Sequence, residues 1–280
     1  MAACWPNRVS PIRSRTPPAR LFLYPANLIL LAHRLAGALD MTEIVETALG
    51  GVAVVSAGAL AYAVRVPSCS WLAPSVYKGC GTDTRPAIAL TFDDGPSEST
   101  TQVLEILARF RVPATFFQCG ANVRRLPAAA REVASAGHEI GNHTHSHPLL
   151  ALKSASFIQQ ELSATQEAIE HATDIRPRYF RAPYGARWFG LRAAQKHLGL
   201  RGVMWSTIAL DWKMQSAAVV SRLLHGATPG AILCLHDGRV LQPRPDIGVT
   251  LQAVREILPK LIELGFHFEK VTDILCPTKN

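Results

Sequence analysis

The 280-residue sequence predicts an α/β fold, a small (β/α) barrel of about seven to eight units behind an amino-terminal helical extension. Two observations lead there. From residue 85 to 276, short apolar runs alternate with longer stretches of helical periodicity, the pattern of a parallel sheet clothed in helices. No glycine-rich phosphate loop follows the first run, which disfavours the competing open, doubly wound sheet.

Taken in order, residues 1–40 come first, with Arg8, Arg13, Arg15, Arg20 and Arg34 against Asp40 alone. They form a basic arm unlike the rest in composition, and Met41 is an alternative start. Residues 44–65 are a candidate transmembrane anchor, because the 18 residues from Thr47 to Val64 carry no charge and are mostly apolar. That is near the roughly 17–25 residues that cross a bilayer. An earlier apolar piece, Leu21 to Ala32, is shorter and broken by Pro25. Basic residues ahead of both pieces put the amino terminus in the cytoplasm and the main domain outside. No convincing small-x-small cleavage site follows, so the expectation is an uncleaved, single-pass anchor in the cell membrane. With Met41 as the start the arm disappears, and Arg65 lies on the wrong side for that orientation. Residues 66–84, with Pro67, Pro74, Gly79 and Gly81, read as a linker.

The barrel domain, 85–276, opens with the strand 87–92. Further strands are predicted at 114–118, 138–141, 178–181, 201–205, 231–236 and 267–271. Helices are predicted from 99, where Val103, Leu104, Leu107 and Phe110 share a face, and at 127–136, 154–172, 189–198, 216–225 and 250–264. Pro259 is expected to kink the last of these.

The net charge is +8, half of it in the arm. No Lys/Arg run with interleaved aromatics occurs in the body, which excludes a nucleic-acid partner. Six cysteines include no CxxC pair. Cys119 and Cys234 lie in apolar runs as buried thiols, whereas Cys69 and Cys80 flank a short Pro/Ser/Gly segment and are able to bridge in an exported domain. Oligomeric state has no signature in the chain.

Chemistry gathers at strand ends. Asp93 and Asp94 are adjacent carboxylates presented as the first strand stops at Gly95-Pro96. Neighbouring carboxylates repel, so the pair makes sense when a cation holds one and leaves the other as a base. His143 and His147, at i and i+4, supply imidazoles for such a cation, and His145 between them faces elsewhere. Arg181, Asp211 and His236 follow later strands. Each alone has a plain reading as a turn, a cap or a loop residue. In a parallel barrel, however, they converge on one face.

This ordered set resembles the polysaccharide deacetylases of the NodB-homology group, carbohydrate esterase family 4. The motifs are Thr91–Pro96, His143–His147, Arg181-Ala182-Pro183-Tyr184-Gly185, Asp211-Trp212 and Cys234-Leu235-His236, and the match covers about residues 86–275. The resemblance implies a distorted, NodB-type barrel. It also implies one divalent metal, zinc before cobalt or nickel, on Asp94, His143 and His147. Asp93 would be the general base, paired with Arg181, and His236 the general acid, supported by Asp211. Pro183, Tyr184, Trp212, Cys234 and Leu235 would bind substrate, with the Tyr184 backbone N–H aiding the oxyanion. The implied reaction removes N-acetyl groups from amino sugars of a peptidoglycan- or chitin-like glycan, releasing acetate. Alternatives are a deformylase or deacylase of a lipid-linked amino sugar, and a catalytically dead carbohydrate-binding domain. Two departures stand out: Ile208 where the family often has Asp, and Cys234 where it usually has Leu.

Overall fold

The computed structural model describes residues 40–80 and 86–275. The basic arm up to residue 39 lies outside them, as do Cys4 and Cys276. The chain divides into two compact units, Met1–Ser56 and Ala57–Asn280. What is described of the first is the start of helix α1, Met41–Arg65, whose residues from Met41 to Tyr62 are exposed. At 1.5 Å per residue its 25 residues span about 37 Å, enough for a bilayer core.

Among the described residues, the second unit is a nine-stranded, all-parallel sheet wrapped by helices. Its strands are β1 (Ser75–Val76), β2 (Ala87–Gly95), β3 (Thr115–Gln118), β4 (Glu139–Asn142), β5 (Tyr179–Phe180), β6 (Arg201–Val203), β7 (Thr207–Ile208), β8 (Ile232–His236) and β9 (His267–Phe268). The remaining helices are α2 (Thr100–Phe110), α3 (Gly120–Arg125), α4 (Pro127–Ser135), α5 (Ala155–Thr173), α6 (Leu191–Leu198), α7 (Ser216–Gly226), α8 (Gly248–Glu263) and α9 (Val271–Ile274). Strand order is β1-β6-β5-β4-β3-β2-β8-β7, with β9 on the start of β2. The barrel is therefore curled rather than regularly closed. Strand β6 pairs with β5, the chain breaks at Met204–Ser206, and β7 then pairs with β8. At the opposite end an antiparallel bridge between Lys78 and Ala231 ties the segment after β1 to β8.

Two-residue alternation sorts the side chains. Ile88, Leu90 and Phe92 of β2 join Leu233 and Leu235 of β8 in the main core under the helices. Ala87 and Ala89 point the other way and pack with Phe117, Val203 and Ile232, where α9 plugs the barrel floor. Above that floor the interior turns polar with Thr91 and Asp93. Gly141 is required there: a Cβ would stand 2.5 Å from the Phe117 ring on the paired strand.

Several expectations need correction. The stretch read as a linker, 66–84, contributes β1, and Arg187, buried, donates to the carbonyls of Val66, Pro67 and Cys69. Cys69 is free and buried while Cys80 is disulfide-bonded, so these two do not pair with each other. The last strand is only His267–Phe268, because Val271 turns inward to start α9. The sequence reading missed α3 and β7 altogether.

Candidate active site

Strand β2 delivers both carboxylates through an irregularity between Asp93 and Gly95. Asp93 continues the inward alternation, and Asp94 takes a positive φ of 73° that swings it to the rim. Asp94 is then tied on two sides: its carbonyl accepts from Asn122 Nδ2 at 2.8 Å, and its Oδ2 accepts the Val240 N–H at 2.9 Å. Its Oδ1 is buried and has no hydrogen-bond partner among the described residues, yet lies 3.4 Å from His143 Nε2 and 3.0 Å from His147 Nε2. His143 Nδ1 sits 2.8 Å from the Arg181 carbonyl, which fixes a tautomer with Nε2 free to accept. An oxygen and two imidazole nitrogens turned on one point, all lone-pair donors, fit a cation between them. Burial pushes the Asp94 carboxyl up, but the adjacent imidazoles of His143 and His147 and the positive charge of His236 hold it well below the usual range.

The loop carrying these histidines is clamped by Glu161 of α5. Its carboxylate accepts the N–H groups of His145 and Ser146 and the Ser146 hydroxyl. Asn142 Oδ1 accepts the Thr144 N–H, which helps hold Thr144 and His147 at positive φ.

Asp93 is paired with a fully buried cation. Arg181 Nη1 donates to Asp93 Oδ1 and to the Thr91 hydroxyl, each at 2.7 Å. Its remaining nitrogens donate to the carbonyls of Val203 (3.2 Å), which ends β6, and Met204 (3.1 Å), which opens the break before β7. The guanidinium thus stitches the sheet where backbone pairing lapses, and its carbon lies 4.1 Å from the Phe117 ring centroid. Asp93 Oδ2 accepts from the Cys234 thiol at 3.4 Å.

His236, paired in register with Asp93, ends β8. Asp211 is buried behind it. One Asp211 oxygen meets His236 Nδ1 at 2.8 Å; the other accepts the His236 N–H at 3.0 Å and the Thr250 hydroxyl. Burial alone would lower the His236 pKa, but the Asp211 charge and hydrogen bond, backed by Asp94 and Asp93, raise it to about 9. Asp237, next in sequence, is a second unusual acid: burial lifts it to about 7, against the Thr100 hydroxyl that donates to it.

Between these groups opens a cavity of about 910 Å³. Asp93, Asp94, His143, His147 and His236 line it, with Tyr184 and Trp212 on the walls. Tyr184 stacks edge-on to His147 at 4.7 Å, and Trp212 does the same to His236. Arg181 and Asp211 lie behind the lining. Three of the substrate-binding expectations do not reach the cavity. Pro183 is buried in the turn that sets Tyr184 at φ 56°, Leu235 faces the helix-covered core, and Cys234 is buried beneath Asp93. The apolar wall comes instead from Trp205, Ile208, Leu210, Val240 and Leu241. Sequence reasoning also missed Glu161, Thr250, Asn122 and Asp237, of which only Asp237 carried a signal, as neighbour of His236.

The polysaccharide deacetylase family model matches residues 81–203. A chitooligosaccharide deacetylase from Azorhizobium caulinodans is 36% identical over 197 residues, which cover 67% of this chain and 94% of that protein. The crystal structure of a peptidoglycan N-acetylglucosamine deacetylase, in complex with 4-naphthalen-1-yl-N-oxidanyl-benzamide, superposes with a TM-score of 0.67 at 29% identity, covering 74% of this chain and 94% of the other. A pseudoenzyme of carbohydrate esterase family 4 from Bacillus anthracis superposes at 0.64 and 27% identity, over 71% of this chain and 68% of its own. On motifs, fold and a relative matched across nearly its full length, the chain belongs to the polysaccharide deacetylase family.

Proposed function

We propose that this protein is a metal-dependent hydrolase that removes N-acetyl groups from amino sugars of a poly- or oligosaccharide, releasing acetate. One observation carries the reading. The unpartnered Asp94 oxygen between two imidazoles shares a cavity with a second carboxylate, Asp93, and with an imidazole, His236, whose pKa is raised to about 9. The fold by itself does not decide activity, since a pseudoenzyme has it too. A retained cation set, base and acid work as a unit. The relatives' names, a chitooligosaccharide and a peptidoglycan N-acetylglucosamine deacetylase, support glycans of N-acetylglucosamine as the substrate class.

In this reading Asp94, His143 and His147 hold one divalent cation, zinc before cobalt or nickel, which when bound polarises the acyl carbonyl and acidifies water. Asp93, oriented by Arg181, takes the proton of the attacking water. The Tyr184 backbone N–H donates to the oxyanion as the carbonyl becomes tetrahedral. His236, protonated and held through Nδ1 by Asp211, gives its Nε2 proton to the leaving nitrogen. Tyr184 and Trp212, both half-exposed, flank the sugar. Residues 44–65 anchor the domain, 85–276 with its support from 66–80, on the outer face of the cell membrane.

The test is acetate release from chitooligosaccharides and from peptidoglycan fragments, before and after chelation. Release that disappears with chelator and returns with zinc supports the reading. No release from any N-acetylated glycan by the zinc-loaded protein overturns it.

A further inference from the structure

A second set of metal-binding atoms lies beside the first and shares no residue with it. A carboxylate oxygen of Asp93, the Cys234 sulfur and a ring nitrogen of His236 all fall within 4.8 Å of one another. The register explains this. On β8, Cys234 pairs with Thr91 and His236 with Asp93, so alternation turns Cys234 and His236 to the same interior face as Asp93. Two of the three are also anchored through their other polar atom. Arg181 occupies Asp93 Oδ1, leaving Oδ2, which the thiol already faces at 3.4 Å. Asp211 occupies His236 Nδ1, leaving Nε2. Ligands held from behind in this way are what a preformed metal site requires.

We infer that Asp93, Cys234 and His236 form a second, inhibitory site for a soft divalent cation such as zinc or cadmium. Sulfur, imidazole and carboxylate together select these ions over magnesium or calcium. On binding, the thiol proton leaves to solvent and the sulfur lone pair goes to the metal. Arg181, at 2.7 Å from Asp93, opposes the incoming charge, so this site fills after the Asp94 set. Its consequence rests on the proposed function: a cation there occupies the base and the acid together.

The experiment titrates cadmium into the zinc-loaded full-length protein and follows the ultraviolet cadmium–thiolate charge-transfer band, the bound metal per chain and acetate release. The wild type should take two cations per chain, gain the thiolate band with the second, and lose turnover by about 100-fold as the band appears, the scale of acid–base catalysis. Cys234→Leu should bind one cation and show no band. His236→Gln should weaken the band-forming event by about tenfold, and it covers the case in which the leucine variant does not fold. A wild-type protein without the band, or a band that survives in Cys234→Leu, overturns the inference. A band without any deacetylase activity leaves the site standing and removes the proposed function instead.

Discussion

Replacing Asp211 by Asn removes one buried charge and little volume, and its effect on His236 follows from the contacts. His236 stands at about 9 against an ordinary 6.5, and burial works against that rise. The difference corresponds to roughly 3 kcal/mol at 1.36 kcal/mol per unit. Asp211 is the largest of the contributions that raise it, ahead of Asp94 and Asp93. A cation on Asp94 cancels one of the lesser two, so in the loaded enzyme Asp211 matters more. Without its charge, burial prevails, and the alkaline limb of kcat/KM should fall by about 2.5 units or more, to near or below 6.5. Asn keeps an acceptor for the His236 N–H and the Thr250 hydroxyl only by turning its amide N–H to His236 Nδ1, where it meets the N–H of the protonated imidazole. That mismatch costs about 2–4 kcal/mol of stability, read separately from thermal unfolding. Stability should change with pH as well. A raised histidine pKa stabilises the fold fully below 6.5, and that contribution fades as pH rises through about 9; Asp211→Asn should flatten the decline. The assay is the pH dependence of acetate release from an N-acetylglucosamine oligomer at one equivalent of zinc per chain. An alkaline limb that stays in place in a folded variant would refute the assignment of His236 as the acid held by Asp211.

Three other perturbations bear on separate parts of the structure. Asp93→Asn should reduce turnover by at least about 100-fold while one zinc per chain stays bound, since Asp93 lies outside the Asp94 set; a wild-type rate would remove the base. Arg181→Met leaves Asp93 buried without its cation and four acceptors without a donor, at a cost of about 3–5 kcal/mol in denaturant unfolding. A change under 1 kcal/mol would show that the guanidinium does not hold the seam. Gly141→Ala forces a methyl to 2.5 Å from the Phe117 ring and should destabilise by about 1–3 kcal/mol, with a neutral outcome contradicting the packing of the barrel interior.

Much of this molecule is legible in its sequence where the signal is local. The run into Thr91-Phe92-Asp93-Asp94-Gly95-Pro96 gives both the strand and its end, and β2 indeed carries its carboxylates at the rim. Most helix positions follow from apolar spacing, because each helix buries one face on the sheet. What escaped the reading depends on contacts between distant residues. Strand β7 has two residues and no periodicity of its own; it exists because Thr207 and Ile208 pair with Leu233 and Cys234. Glu161 and Thr250 look like ordinary helix residues until the fold brings them to the His145–Ser146 amides and the Asp211 carboxylate. The Pro/Gly-rich stretch after α1 has a linker's composition, but Arg187, more than 110 residues away, gives its carbonyls a buried donor. The apolar run around Cys234 shows that it is buried; its place beneath Asp93, rather than on the cavity wall, follows only from the register with β2.

A crystal of the zinc-loaded protein, with anomalous scattering recorded at the zinc edge, bears most directly on the account. At stoichiometric zinc the strongest peak should lie between Asp94 Oδ1 and the Nε2 atoms of His143 and His147, with Asp93 still bound to Arg181. A map without zinc among those three side chains, or with Asp93 as the ligand in place of Asp94, would contradict it.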